Sequence, residues 1–161
     1  MPLQWPDESN VSILGGVFSN QIKTIQEIAT SLPSEYTLVI KEHPNRPGTT
    51  SFVKLRRLLL NNGNIILADI GISSRELVEK SSLVITITST VGFESIVMKK
   101  PIILLGDRFY KKFPGVKKVD SFKQLKKALL EVKDLILIKE RELVDSTAES
   151  TFLGVANKIT N

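Results

Sequence analysis

The chain has 161 residues, of which 42% are hydrophobic and 24% charged, an ordinary make-up for one globular domain large enough to bury a core. It carries no cysteine and a single histidine, which excludes a disulfide framework, a thiolate metal site and a multi-histidine centre. Lys and Arg (22) outnumber Asp and Glu (17), giving a net charge of +5 that suits an anionic partner without choosing among nucleotide, nucleic acid and acidic membrane.

No apolar run approaches the roughly 20 residues that span a bilayer, and the N-terminus shows no signal-peptide pattern. A cytoplasmic location is expected, with peripheral contact to the anionic inner face of the cell membrane open to it. Residues 1–18 read as a lead-in, apolar from Val11 to Phe18 around Gly15-Gly16. Asn20 predicts the cap of a helix to about Leu32, with Ile22, Ile25, Ile28 and Ala29 as its apolar stripe. Tyr36 to Lys41 reads as a strand running into Glu42-His43-Pro44, where Pro44 holds His43 extended. An amphipathic helix over 52–60, with Val53, Leu55, Leu58 and Leu59 inward, exits at Asn61-Asn62-Gly63. Asn64 to Ala68 is the next strand, and Ser73 or Ser74 caps a short helix through Lys80, with Glu76 placed for a capping box if Ser73 is the cap.

Leu83 to Leu105 is the centre of the chain. Leu83-Val84-Ile85 opens a β-branched run suited to a strand buried on both faces. Thr88-Ser89-Thr90 follows with three hydroxyls at the strand-to-helix turn, and Gly92 permits close backbone approach. Phe93, Ile96 and Val97 recur at helical spacing, Pro101 stops the helix, and Ile102 to Leu105 forms a second buried strand. Free N–H groups and a helix dipole at this turn predict an anion site, with Glu94 one turn further in, placed to accept hydrogen bonds from a sugar diol.

Gly106 to Gly115 reads as a polar, aromatic loop, Val116 to Val119 as an edge strand, and Ser121 as the cap of a helix to about Val132. Residues 139–161 form a C-terminal helical segment in this reading. The lysine pairs 111/112 and 117/118 suit an acidic acceptor or membrane surface, or simply guard an edge strand.

Alternating helix and strand argues for a three-layer α/β/α domain over 1–161 with a mostly parallel sheet. Ligands in such folds sit beyond the carboxyl ends of the strands, where the loops at Glu42-His43-Pro44, Thr88-Ser89-Thr90 and Gly106 to Tyr110 converge. There is no Walker loop and no Gly-x-Gly-x-x-Gly, so P-loop hydrolysis and dinucleotide redox chemistry lose support. No RNA-binding aromatic motif appears, so nucleic acid is not an expected partner. No metal or cofactor is called for, since cations and a helix terminus serve a phosphate.

Six short motifs occur in order: Pro2-Leu3-Gln4, Asp7-Glu8, Gly15-Gly16-Val17-Phe18, Lys41-Glu42-His43-Pro44, Ser89-Thr90-Val91-Gly92-Phe93-Glu94, and Gly106 with Phe109-Tyr110. Together, over residues 2–125, they resemble the capsule polysaccharide biosynthesis and export family, whose members look like glycosyltransferases of the two-Rossmann (GT-B) architecture. The resemblance implies a Rossmann-like C-terminal half that binds a nucleotide sugar, with a CMP-activated acidic sugar such as Kdo or sialic acid as donor. By the same resemblance His43, Pro44, Ser89 and Thr90 face the nucleotide and its phosphate, beside Thr88 and Gly92, and Glu94 holds the ribose hydroxyls. His43 is then the candidate catalytic residue. The implied partners are an N-terminal GT-B domain and a polysaccharide or lipid-linked acceptor, and the isolated domain is expected to be inactive. Two other readings stay open: a polyol-phosphate transferase using a CDP-glycerol-type donor, and a non-catalytic flavodoxin-like binding module.

Overall fold

A computed structural model describes residues 1–4, 13–43 and 52–131. The chain divides into two compact units, Met1–Leu129 and Leu130–Asn161, and the first carries all the strands and the cleft described below. Pro44, Asp7, Glu8 and the segment 139–161 lie outside the described residues.

The order of elements is α1 (Gln21–Ser31), β1 (Leu38–Ile40), α2 (Phe52–Asn61), β2 (Ile65–Leu67), α3 (Ser74–Lys80), β3 (Val84–Thr86), α4 (Val91–Val97), β4 (Ile102–Leu104), β5 (Val116–Lys118) and α5 (122–131). Strands pair in parallel: β1 with β2, and β3 with β4 with β5. Parallel neighbours need a crossover, and α2 and α4 supply the helical ones. The N-terminal residues bridge the two sheets. Leu3 donates to Lys41 O (2.7 Å) on the β1 side, while Gln4 reaches Thr88 just past β3.

Local chemistry explains the helix starts. Asn20 Oδ1 accepts from Lys23 N (3.1 Å) at α1, and Ser73 Oγ accepts from Glu76 N (3.1 Å) at α3. Ile102, Ile103 and Leu104 are almost wholly buried, as the central strand of a covered sheet requires. Val84 and Ile102 pack on Val78 of α3, with Val91, Ile96 and Met98 of the α4 region closing over them.

The apolar stripes shift relative to expectation. On α1, Gln21 and Thr24 join Ile25, Ile28 and Ala29 on the buried face, while Ile22 is half-buried. On α2, Leu55 and Leu58 are buried and Val53 points outward. On α4, Gly92 and Ser95 face the core, and Phe93 and Val97 face out. The cause is at Gly92, where a Cβ would lie 2.4 Å from Tyr110 Oη and 2.9 Å from Thr86 Cγ2. Only the smallest residues fit that face.

Helix α4 also ends before Pro101. Lys99 N bonds to Ile96 O (2.9 Å) and Lys100 N to Ser95 O (3.0 Å), a Schellman stop that puts Lys99 at φ 55°. Glycine adopts that conformation without a Cβ clash. Lys99→Gly is therefore expected to stabilise the fold by about 0.5–1 kcal/mol, raising the thermal midpoint by roughly 1–4 °C. A midpoint that stays put or falls in a thermal melt would contradict this.

Candidate functional site

Segments leaving β1, β3 and β4 meet in one cleft of about 330 Å³, within the size range of small-ligand sites. Lys41, Glu42 and His43 line it from the β1 exit, Thr88, Ser89 and Thr90 from the β3 exit, and Glu94 from α4. Arg108 closes it from the β4 exit, and Pro2 to Gln4 form another wall. Of the residues expected from sequence, His43, Thr88, Ser89, Thr90 and Glu94 are brought together. Gly92 is not among the described residues lining this cleft; it is buried against Tyr110.

The β3–α4 turn is held from several sides. Ser89 N donates to Thr86 Oγ1 (3.2 Å), Ser89 O accepts from Tyr110 Oη (2.7 Å), and Ser89 Oγ accepts from Val91 N (3.2 Å). Gly92 N bonds to Ser89 O (3.2 Å) and Glu94 N to Thr90 O (3.1 Å). The amides expected to greet an anion are thus largely taken within the turn, and α4 has only seven residues. Hydroxyls remain. Ser89 Oγ accepts from Val91, which leaves its O–H proton to donate elsewhere. Thr90, at the N-cap position, makes no side-chain cap bond and is exposed on the cleft.

Thr88 has a different part. Its hydroxyl is buried and lies 2.7 Å from the Gln4 carboxamide. With that amide oriented to satisfy its surroundings, its nitrogen donates to Thr88 Oγ1 and its oxygen accepts from Ser89 N (2.5 Å) and Thr88 N (3.2 Å). Gln4 N in turn donates to Gln21 Oε1 (2.7 Å), and Gln21 Nε2 donates to Gln4 O (2.6 Å). This buried network fixes the turn to the N-terminal segment and to the start of α1.

Two basic residues complete the polar surface. Lys41 is 6% exposed, and its ammonium donates to Ile70 O (2.9 Å) and Asp69 O (3.4 Å), tying the β2–α3 loop to the cleft wall. The Arg108 guanidinium lies beside the Tyr110 phenol, which burial pushes up to about 12 against the pull of that positive charge. Arg108 was not singled out from the sequence, although its place one residue before Phe109, at a strand's carboxyl edge, was the available signal. Within the lysine pairs, Lys111 pairs with Asp107 (2.9 Å) and Lys118 with Asp120 (2.5 Å). Among the described residues no group of three or more His, Asp or Glu gathers as a metal site would require.

The profile of the capsule polysaccharide biosynthesis protein family matches residues 1–138. The chain belongs to that family. A curated relative, Protein FixF of Sinorhizobium fredii (strain NBRC 101917 / NGR234), is 38% identical over 78 residues, covering 47% of this chain and 17% of FixF. Among solved structures the fold is similar to Thermosulfurimonas dismutans KpsC, described as a beta Kdo 2,7 transferase, with a TM-score of 0.57 and 21% identity. That match covers 78% of this chain and 41% of KpsC, so the chain spans less than half the length of either relative. The α/β fold with parallel strands is thus similar to that of part of KpsC. No helix among the described residues is long and apolar enough to cross a membrane.

Proposed function

We propose that the cleft binds the nucleotide part of a CMP-activated sugar, and that the chain acts as the donor-binding half of a GT-B glycosyltransferase for capsule or other surface polysaccharide. The observation that carries this reading is the convergence of His43, Ser89, Thr90 and Glu94, from three separated stretches of chain, on one cleft at the strands' carboxyl edge. Membership of the capsule family and the likeness to a domain of a Kdo transferase support it.

In this reading His43 and the Ser89 and Thr90 hydroxyls donate to the donor's phosphate oxygens, and the Glu94 carboxylate accepts from the ribose diol. Donors aimed at the phosphate stabilise the charge that grows on the departing nucleotide, which is the catalytic contribution of a donor-binding half. The acceptor and the base that deprotonates it are assigned to a preceding domain, as the greater length of the relatives allows. Contact with an anionic membrane surface belongs to the same proposal.

His43→Ala is the test. His43 is exposed, so the thermal midpoint should change by no more than about 2 °C, while affinity for CMP should fall at least ~10-fold in calorimetric titration. Equal affinity in wild type and variant would sink the assignment of His43. Tighter binding of CDP-glycerol than of CMP-sugars would move the reading to polyol-phosphate transfer.

A further inference from the structure

The cleft holds a cation that the motif resemblance does not name. Arg108 lines it together with Thr90 and Glu94, and the Arg108 Nε is buried with no hydrogen-bond partner among the described residues. Leaving a donor of a charged group buried and unsatisfied is costly, so a buried guanidinium Nε calls for an acceptor. Among the described residues none is hydrogen-bonded to that Nε: Asp107 pairs with Lys111, and the Tyr110 hydroxyl, which gives its proton to Ser89 O, accepts from the guanidinium without reaching Nε.

Most other donors of the cleft are already engaged. The amides of Ser89, Val91, Gly92 and Glu94 already have acceptors within the turn. The Lys41 ammonium is directed at the carbonyls of Asp69 and Ile70. An oxyanion entering the cleft therefore meets few uncommitted donors among the described residues beside the Ser89 and Thr90 hydroxyls, and the Arg108 Nε is the charged one, with an Nη N–H parallel to its own along one edge. That edge matches the two oxygens of a phosphate or carboxylate.

We propose that Arg108 is the oxyanion-recognition residue of this cleft, its Nε–Nη edge receiving two oxygens of the ligand. The ligand's identity rests on the nucleotide-sugar reading above; the demand for an oxyanion rests on Arg108 itself. Two groups of such a ligand carry the chemistry, the nucleotide phosphate and the carboxylate of an acidic sugar. Arg108 is a specificity residue: it favours anionic ligands over their neutral parts.

The experiment compares wild type, Arg108→Lys and Arg108→Met by calorimetric titration with CMP, cytidine, pyrophosphate and a free 2-keto sugar acid, with a thermal melt of each protein. Arg108→Lys keeps the charge and the aliphatic stem, so it controls for folding and isolates the fork. The expected result is a loss of CMP and pyrophosphate affinity of at least 10-fold in Arg108→Met, with only partial recovery in Arg108→Lys and unchanged, weak cytidine binding. An Arg108-dependent response to the sugar acid instead of pyrophosphate assigns the fork to the carboxylate. If pyrophosphate binding depends on Arg108 while no nucleotide binds, the oxyanion role stands and the nucleotide reading falls. CMP bound equally by wild type and both variants overturns the Arg108 proposal and leaves the nucleotide reading intact. Wild-type protein that binds none of the anions overturns both.

Discussion

Gly106→Ala is expected to lower the thermal midpoint by about 6–12 °C, the equivalent of roughly 3 kcal/mol for a chain of this size. Gly106 sits where the β4 exit passes between the end of β3 and the N-terminal lead-in. A Cβ there would lie 2.6 Å from Ile87 O, 2.6 Å from Thr88 Cγ2 and 2.9 Å from Leu14 O. Two of those three atoms are backbone, so neither can swing aside as a long side chain would. Both carbonyls are also engaged: Gly106 N donates to Ile87 O (2.9 Å) and Asp107 N to Leu14 O (2.9 Å). Relieving the clash means parting the β4 exit from Thr88 and from residue 14 together, which moves two walls of the cleft. A differential scanning measurement that finds Gly106→Ala within 2 °C of wild type would show that this packing is looser than described.

The second large effect is expected at Gln4. Gln4→Leu keeps the backbone exchange with Gln21 but deletes the carboxamide that meets Thr88 and Ser89. The Thr88 hydroxyl and the Thr88 N–H are then buried beside a methyl group, at about 1–3 kcal/mol for each unsatisfied group. A loss of roughly 2–4 kcal/mol follows, with CMP affinity falling alongside, because the turn that carries Ser89 and Thr90 loses its anchor. Gln4→Glu retains the acceptor oxygens and should lose less. Urea unfolding gives the stability change directly. Equal stability of Gln4→Leu and wild type would mean that this network is incidental to the turn.

Much of the fold was legible because its signals are local. The caps need only a side-chain oxygen and an amide three residues on: Asn20 forms its cap as read, and of Ser73 and Ser74 it is Ser73 that caps the short helix. The strand–turn–helix–strand unit from Leu83 to Leu105 announces itself through two β-branched runs around a hydroxyl-rich turn. The misread features depend on contacts between distant residues. Phe93, Ile96 and Val97 mark the helix by their spacing, but which face is buried is set by Tyr110, far along the chain, which packs against Gly92 and turns that face inward. The buried Gln4–Gln21 exchange looks in sequence like two ordinary polar residues.

The site divides along the same line. His43, Ser89, Thr90 and Glu94 stand out through residue type at a strand's carboxyl edge, and they do share a cleft. The state of the turn's amides could not be read, because their acceptors include side chains such as Thr86 and Gln4. The unsatisfied Nε of Arg108 is a matter of burial and neighbours, which no spacing rule reports.

The most direct measurement is an amide-resolved NMR titration of the chain with CMP, followed by CDP, UDP and GDP. Saturable shifts at His43, at Thr88 through Glu94 and at Arg108, strongest with CMP, are the predicted result. No shift at those amides with any nucleotide, or shifts confined to another surface, would contradict a nucleotide site in this cleft.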